Sequence, residues 1–201
     1  MRLRRRANEL RSWGTKTAGP DMEDLIQFLL TLYLYGILIR LLLTFHQADF
    51  YNPISQVLAR ATDPVYQPVR RIMPSARGWD LALLAIALVL KLISLYVGGA
   101  MELGASILGL VLFALTQIGG MMLNIYLISL IVVVIASWVQ LSAGADQFLS
   151  LVRSLTAPML MRIRGVLPDT GILDLSPMVA LFGLYFLQSG LYQVGRWGLT
   201  I

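Results

Sequence analysis

The sequence predicts an all-α membrane protein of about four transmembrane helices. These are arranged as two tandem two-span repeats, each with an amphipathic interfacial segment between its spans. Three observations predict this. Hydrophobic residues make up 57% of the 201 and charged ones 13%, against roughly 45–50% and about 25% in ordinary soluble proteins. Apolar runs near 25–45, 81–97, 121–141 and 175–191 approach or reach the length of a bilayer crossing. A single shift of 94 positions lays residues 51–82 onto 145–176.

Polar and apolar positions carry the repeat alike. The shift places Thr62 on Thr156, Pro64 on Pro158, Arg70 on Arg164, Pro74 on Pro168 and Asp80 on Asp174. Ile54, Val57, Leu58 and Ala61 fall on Phe148, Leu151, Val152 and Leu155. Each unit is thus a basic, proline-punctuated segment followed by a long apolar run.

Residues 1–21 hold Arg2, Arg4, Arg5, Arg6, Arg11 and Lys16. They are expected to form a disordered basic extension or an arm lying on anionic lipid, with Met22 as an alternative start. A signal peptide does not fit, because the apolar run that follows is too long and lacks a small-residue cleavage site. The first unit is assigned to 22–101, an apolar connecting segment to 102–120 and the second unit to 121–201. The first span, 25–45, covers about 30 Å at 1.5 Å per residue, the thickness of the hydrocarbon layer. Arg40 near its end, and Lys91 near the end of 81–97, are expected to snorkel to the headgroups.

The stretch 103–141 is uncharged. The repeat equates the first span with its C-terminal part, about 121–141. That leaves 103–118 as an interfacial or re-entrant piece, or as an N-terminal extension of the same helix. With two spans per unit, both basic segments lie on one side of the membrane. An extra crossing at 103–118 would invert the second copy. Charge favours the first case. Arg60, Arg70, Arg71 and Arg77 lie in one segment and Arg153, Arg162 and Arg164 in the other, while the link between the copies carries Glu102 and no basic residue. The positive-inside rule therefore makes both segments cytoplasmic. The arginine-rich N-terminus then falls on the opposite side, against that rule.

The spacing 54/57/58/61, repeated at 148/151/152/155, marks one face of a helix. Such a helix can lie on the membrane surface or pack on the spans. Pro64 and Pro158 are expected to end these helices, since proline lacks the amide donor of the preceding turn. Asp63 has no repeat partner, position 157 being alanine, and is assigned to a loop. Arg70, Arg71, Arg162 and Arg164 are candidate lipid- or partner-binding residues, because guanidinium grips phosphate in two-pronged fashion. Asp80 and Asp174 precede spans and read as helix caps. The sharper alternative pairs them with Arg70 and Arg164 around a polar centre shared by the copies. Thr62, Pro64, Pro74, Asp80 and their partners Thr156, Pro158, Pro168 and Asp174 are assigned structural roles in the repeat.

No chemistry-bearing constellation is evident. The chain has one histidine, His46, and no cysteine, so neither a protein-built metal site nor a cofactor is expected. Serine-histidine-aspartate sets, phosphate loops and dinucleotide glycine patterns are absent. Gln117, Asn124 and Gln188 lie in apolar runs and are expected to bond between helices rather than line a transport path. The formal charge of +5 points to loop orientation and anionic lipid, not to nucleic acid.

These residues resemble a known family. Asp49-Phe-Tyr-Asn-Pro-Ile-Ser-Gln56, Thr62-Asp-Pro64 and Pro68-Val-Arg-Arg-Ile-Met-Pro74 look like a first YggT domain. Ser137-Trp138, Thr156-Ala-Pro158, Arg162-Ile-Arg-Gly-Val-Leu-Pro168 and Asp174-Leu-Ser-Pro177 look like a second. Pro68 is replaced in the second copy by Arg162, and the Asp-x-Ser-Pro of 174–177 reads Asp80-Leu-Ala-Leu83 in the first. The resemblance, closest to the bacterial two-domain form, implies a multi-pass inner-membrane protein without catalytic residues. It also implies roles in assembly, as for chloroplast and cyanobacterial relatives tied to cytochrome haem maturation and nucleoid distribution. Gram-positive relatives lie near division genes, and two-domain bacterial members are linked to osmotic or ion stress. The function expected is a non-enzymatic scaffold, assembly or stress-related factor that meets anionic lipid, a protein partner or itself. The alternative is a small oligomeric transporter or channel component.

Overall fold

The computed structural model describes residues 22–73, 78–100, 104, 106–138, 143–167 and 174–200. The expectations for residues 1–21, Pro74 and Pro168 lie outside these. Six helices follow in order: α1 (Met22–Phe45), α2 (Pro53–Arg70), α3 (Leu81–Val97), α4 (Ile107–Trp138), α5 (Ala143–Arg164) and α6 (Ser176–Gly198). No strand occurs among the described residues.

The main core forms around the C-terminal half of α1. Leu34, Ile37, Leu38, Leu41 and Leu42 are fully buried against Leu83, Ile86 and Ala87 of α3, Ile118 and Ile125 of α4, and Leu151 and Leu155 of α5. The two sequence units therefore share one core. A second cluster belongs to the second unit and joins Leu130, Leu160, Ala180 and Leu184. Elsewhere the helices present apolar side chains outward: Phe28, Leu29 and Leu32 on α1, Val89 on α3, Ile128 and Ile135 on α4, and Phe182, Phe186 and Leu187 on α6. A protein bathed in water rarely exposes so much apolar surface.

Helices α1 and α4 are long and apolar enough to cross a membrane; α3, at 17 residues, is a shorter apolar helix. Helix α6 has 23 residues and covers the expected last span, but polar residues such as Gln188, Ser189 and Gln193 dilute its hydropathy. Helix α4 settles the reading of 103–118. Its 32 residues run through Gly119 and Gly120 without a break, so the described part of that piece extends the same helix. At 1.5 Å per residue α4 is roughly 48 Å long, well beyond the bilayer core.

The prolines act differently from expectation. Helix α2 continues through Pro64 and Pro68, and α5 continues through Pro158. A threonine stands two positions before Pro64 and before Pro158. Proline deprives the carbonyl four residues back of its donor. In α2, the Thr62 hydroxyl caps the neighbouring carbonyls of Leu58 at 2.8 Å and Ala59 at 3.2 Å. In α5, Thr156 does the same for Val152 at 3.1 Å. Both threonines are 1% exposed. The Thr-x-Pro pair thus sits inside a continuous helix, its threonine hydroxyl bonded to the turn before it.

Candidate functional site: a polar network in the first unit and a polar cavity in the second

Helix α2 meets α1 and α3 through polar groups. Arg40, expected to snorkel, is instead 8% exposed and points into α2. Its Nη1 lies 2.8 Å from Asp63 Oδ1 and donates to Thr62 Oγ1 at 2.5 Å and to the Ala59 carbonyl at 3.1 Å. Its guanidinium stacks 4.0 Å above the Tyr66 ring centre. Asp63 therefore belongs to helix α2, not to a loop, and its partner comes from α1. A buried guanidinium needs this many acceptors, since an unpaired charge away from water is costly.

The network continues to α3. Asp80, 3% exposed, caps α3 by accepting from the amides of Ala82 at 3.1 Å and Leu83 at 3.3 Å, as expected of it. Its other oxygen accepts from the Tyr66 hydroxyl at 2.5 Å and from Arg70 at 3.3 Å. Burial, then the hydrogen bond to Asp80, pushes the Tyr66 hydroxyl up to about 12. Arg40, Tyr66 and Asp80 thus link three helices in one chain of contacts.

The second unit keeps only part of this. Arg164 bonds Asp174 through Nε at 2.9 Å and also through Nη2. Asp174 accepts from the Ser176 amide at 3.0 Å and hydroxyl at 2.6 Å. Those serine bonds, then Arg164, hold its carboxyl down at about 2. The positions equivalent to Arg40, Asp63 and Tyr66 are Val134, Ala157 and Leu160, so no counterpart of the larger network exists there. Each arginine–aspartate pair stays within its own unit.

Two of the four candidate lipid-binding arginines are therefore engaged internally, Arg70 and Arg164. Arg71 and Arg162 are exposed. So are Arg60 and Arg153, which the repeat does not single out. No ion pair holds any of these four among the described residues. Arg60 and Arg71 line one open groove with Asp63, Gln67, Pro64 and Pro68.

The amphipathic faces also part company. On α2 part of the stripe predicted from spacing turns outward: Val57 is 66% exposed and Ala61 is exposed, while Leu58 packs toward the core. On α5 the equivalent Leu151, Val152 and Leu155 are buried in the bundle. An apolar cleft of about 300 Å³ separates the two helices, lined by Ile54 and Leu58 on one side and by Phe148, Leu151, Val152 and Leu155 on the other. Asn52, the N-cap of α2, donates to the Gln147 carbonyl of α5 at 2.7 Å and so ties the two helices together.

His46, just past α1, has its Nε2 2.6 Å from the Tyr126 hydroxyl. Burial, then the charge of Arg162, lowers its pKa.

The three span-embedded amides converge. Gln117, Asn124 and Gln188 line one cavity of about 210 Å³ between α1, α4 and α6, together with Tyr35, Thr116 and Tyr192. Asn124 bonds between helices as expected, donating to the Tyr35 hydroxyl at 3.3 Å. Gln117 and Gln188 make no such bond among the described residues.

A family model, CCB3/YggT, matches residues 22–101 and 112–195. The chain belongs to the CCB3/YggT family. The gap between the two matched segments, residues 102–111, takes in the start of α4. Among relatives, an uncharacterised protein encoded in the proC 3′ region of Vibrio alginolyticus is 38% identical over 83% of this chain and 90% of its own length. An uncharacterised protein of Pseudomonas aeruginosa is 37% identical over 80% of this chain and 82% of its own. The uncharacterised YggT of Escherichia coli is 33% identical over 85% and 88%. No solved structure matches the chain. In this YggT-family chain the Thr-x-Pro and Asp motifs are explained by bonding within helices and by capping, while the copy-specific residues build the network and the cavity.

Sequence reasoning missed Arg40, Asp63 and Tyr66 as a group, because a search by repetition discards unrepeated residues. One signal was available: an ionisable residue inside an apolar span is by itself a pointer to a polar partner.

Proposed function

We propose that this chain is a non-enzymatic, multi-pass protein of the bacterial inner membrane that acts as a scaffold at the cytoplasmic membrane surface. In this reading α1, α3, α4 and α6 cross the bilayer as two tandem two-span units, and α2 and α5 lie at the interface. The observation that carries it is the outer face of α2. Val57, Ala61 and Val65 turn away from the bundle on the same helix that displays the exposed Arg60, with the exposed Arg71 just past its end. Apolar side chains at the acyl boundary beside cations at the phosphates are the pattern of an interfacial helix. The basic ends of α2 and α5 then recruit anionic phospholipid, a protein partner or a second copy. A part in assembly or in osmotic stress follows from family resemblance.

Near an anionic surface each arginine contributes roughly 1 kcal/mol. Replacing Arg60, Arg71, Arg153 and Arg162 together by glutamine is therefore expected to abolish any preference for phosphatidylglycerol over phosphatidylcholine. Native mass spectrometry of the solubilised protein reads that preference, and an unchanged one would sink the lipid reading. A second reading, a small oligomeric transporter or channel component, is favoured by one observation: the polar cavity between α1, α4 and α6.

A further inference from the structure

The cavity between α1, α4 and α6 is built, not incidental. On α4 its lining positions 113, 116, 117, 120, 121 and 124 share one helical face, and on α6 so do 188, 191, 192 and 195. Gly120 in the lining borders open space, with nothing within 4 Å of an added Cβ, while Gly195 lets α6 approach α4 closely, since an added Cβ there would sit 2.5 Å from Thr116 Oγ1. The lining offers three amides and three hydroxyls and no charged side chain. Amide groups placed in hydrocarbon without partners are costly, and Gln117 and Gln188 have none among the described residues. A volume of about 210 Å³ is far more than the roughly 10–15 Å³ that one water needs.

Its position in the fold gives it a direction. The inner end is closed near mid-helix by the Asn124–Tyr35 bond. The lining then runs toward the N-terminal end of α4 and the C-terminal end of α6, which meet where Gly109 packs on the Gly198 backbone. That end lies beside the C-terminus of α3, away from α2 and α5. The outer half of α1 does not cover it, as Phe28, Leu29 and Leu32 are all exposed.

The first unit places a second opening at the same repeat position. The shift of 94 sets Gln117, Met121, Leu191 and Tyr192 on Glu23, Gln27, Val97 and Gly98, which also line a surface pocket. There the inner groups are satisfied. Gln27 donates to the Ser94 carbonyl at 2.6 Å and accepts from its hydroxyl at 2.9 Å. Ser94 is the repeat partner of Gln188. One unit has closed its inter-span polar contact and the other has left it open.

We propose that the second unit's cavity is a water-filled vestibule that binds a small uncharged solute bearing both hydrogen-bond donors and acceptors. It opens on the membrane face opposite α2 and α5. The amides and hydroxyls both give and accept hydrogen bonds, which suits a polyol or amide, and no side chain there balances an ion. This inference rests on the reading that α1, α4 and α6 cross the membrane.

The chain has no cysteine, so single-cysteine variants test it directly in the full-length protein in sealed vesicles. Gln117→Cys and Gln188→Cys should react with a small membrane-impermeant methanethiosulfonate. They should do so at least about tenfold faster than Leu187→Cys, whose lipid-facing thiol stays un-ionised. Glycerol should slow labelling at Gln117→Cys and Gln188→Cys several-fold more than at the surface reference Tyr96→Cys, and choline chloride should not. Labelling no faster than at Leu187→Cys means a dry cavity and overturns the proposal. So does protection by choline rather than glycerol, protection by neither, or labelling from the face that reaches Arg71→Cys. Tyr96→Cys and Arg71→Cys should label from opposite faces. If they label from one face, the membrane-crossing reading itself fails, whatever the cavity positions do.

Discussion

Arg40 is the residue on which the first unit's packing turns. It satisfies Asp63, Thr62 and the Ala59 carbonyl and stacks on Tyr66. Lysine keeps the charge but not the planar, many-donor head. Arg40→Lys is therefore expected to lose about 1 kcal/mol of stability and Arg40→Ala about 2–3 kcal/mol, since Asp63 is half-exposed and regains water while Thr62 and the carbonyl do not. Thermal unfolding in detergent measures both, and an alanine variant as stable as the parent would show the network to be idle. Asp174 gives a pH prediction. Its folded pKa, about 2, lies below the ordinary 3.8. The stabilisation is therefore present at neutral pH and is lost as pH falls from about 5 toward 2. The pair is exposed, so screening holds the contribution under about 1 kcal/mol. Asp174→Asn should lower the melting temperature at pH 7 and do so much less near pH 2.

At the scale of elements, the sequence disclosed some helices more readily than others. The apolar runs located α1, α3 and the start of α6 closely, but α6 continues to Gly198, seven residues past the expected end at 191. Sequence reasoning stopped α2 and α5 too early, since a proline reads as a terminus although both helices run on through it. It also could not say which way an amphipathic stripe would face. On α2 Val57 and Ala61 turn outward while Arg40, Tyr66 and Asp80 draw the polar face inward; in the second unit valine, alanine and leucine stand at the equivalents of Arg40, Asp63 and Tyr66, and Leu151 and Leu155 pack instead. The α4–α6 pair shows a further device the spacing hid. A Cβ at Gly109 would come within 2.3 Å of the Gly198 carbonyl oxygen, and backbone cannot step aside. Gly109→Ala should part the two helices and cost about 1–3 kcal/mol by overpacking. Gly183→Ala, with nothing within 4 Å, should be neutral or slightly stabilising in the same melting assay.

For the whole molecule the question is whether the two copies run parallel or inverted, and the structure adds three arguments to the count of arginines. Helix α4 is continuous from Ile107 to Trp138, so among the described residues no additional helix stands between α3 and α4 to reverse the second copy. Asn52 bonds Gln147, which places the starts of α2 and α5 side by side, as they must be if both follow a first helix that ends on the same face. The shared core joins α1 and α3 to α4 and α5, so the units are not free to orient independently. All three favour parallel copies. Reporter fusions after residues 73 and 167, which follow α2 and α5, should both be active in the cytoplasm, and a fusion after residue 100, which follows α3, should be active outside. Opposite activities at 73 and 167 would mean inverted copies. In that case the contacts between α2 and α5 could not form within one membrane face, and the surface-scaffold reading would fall with them.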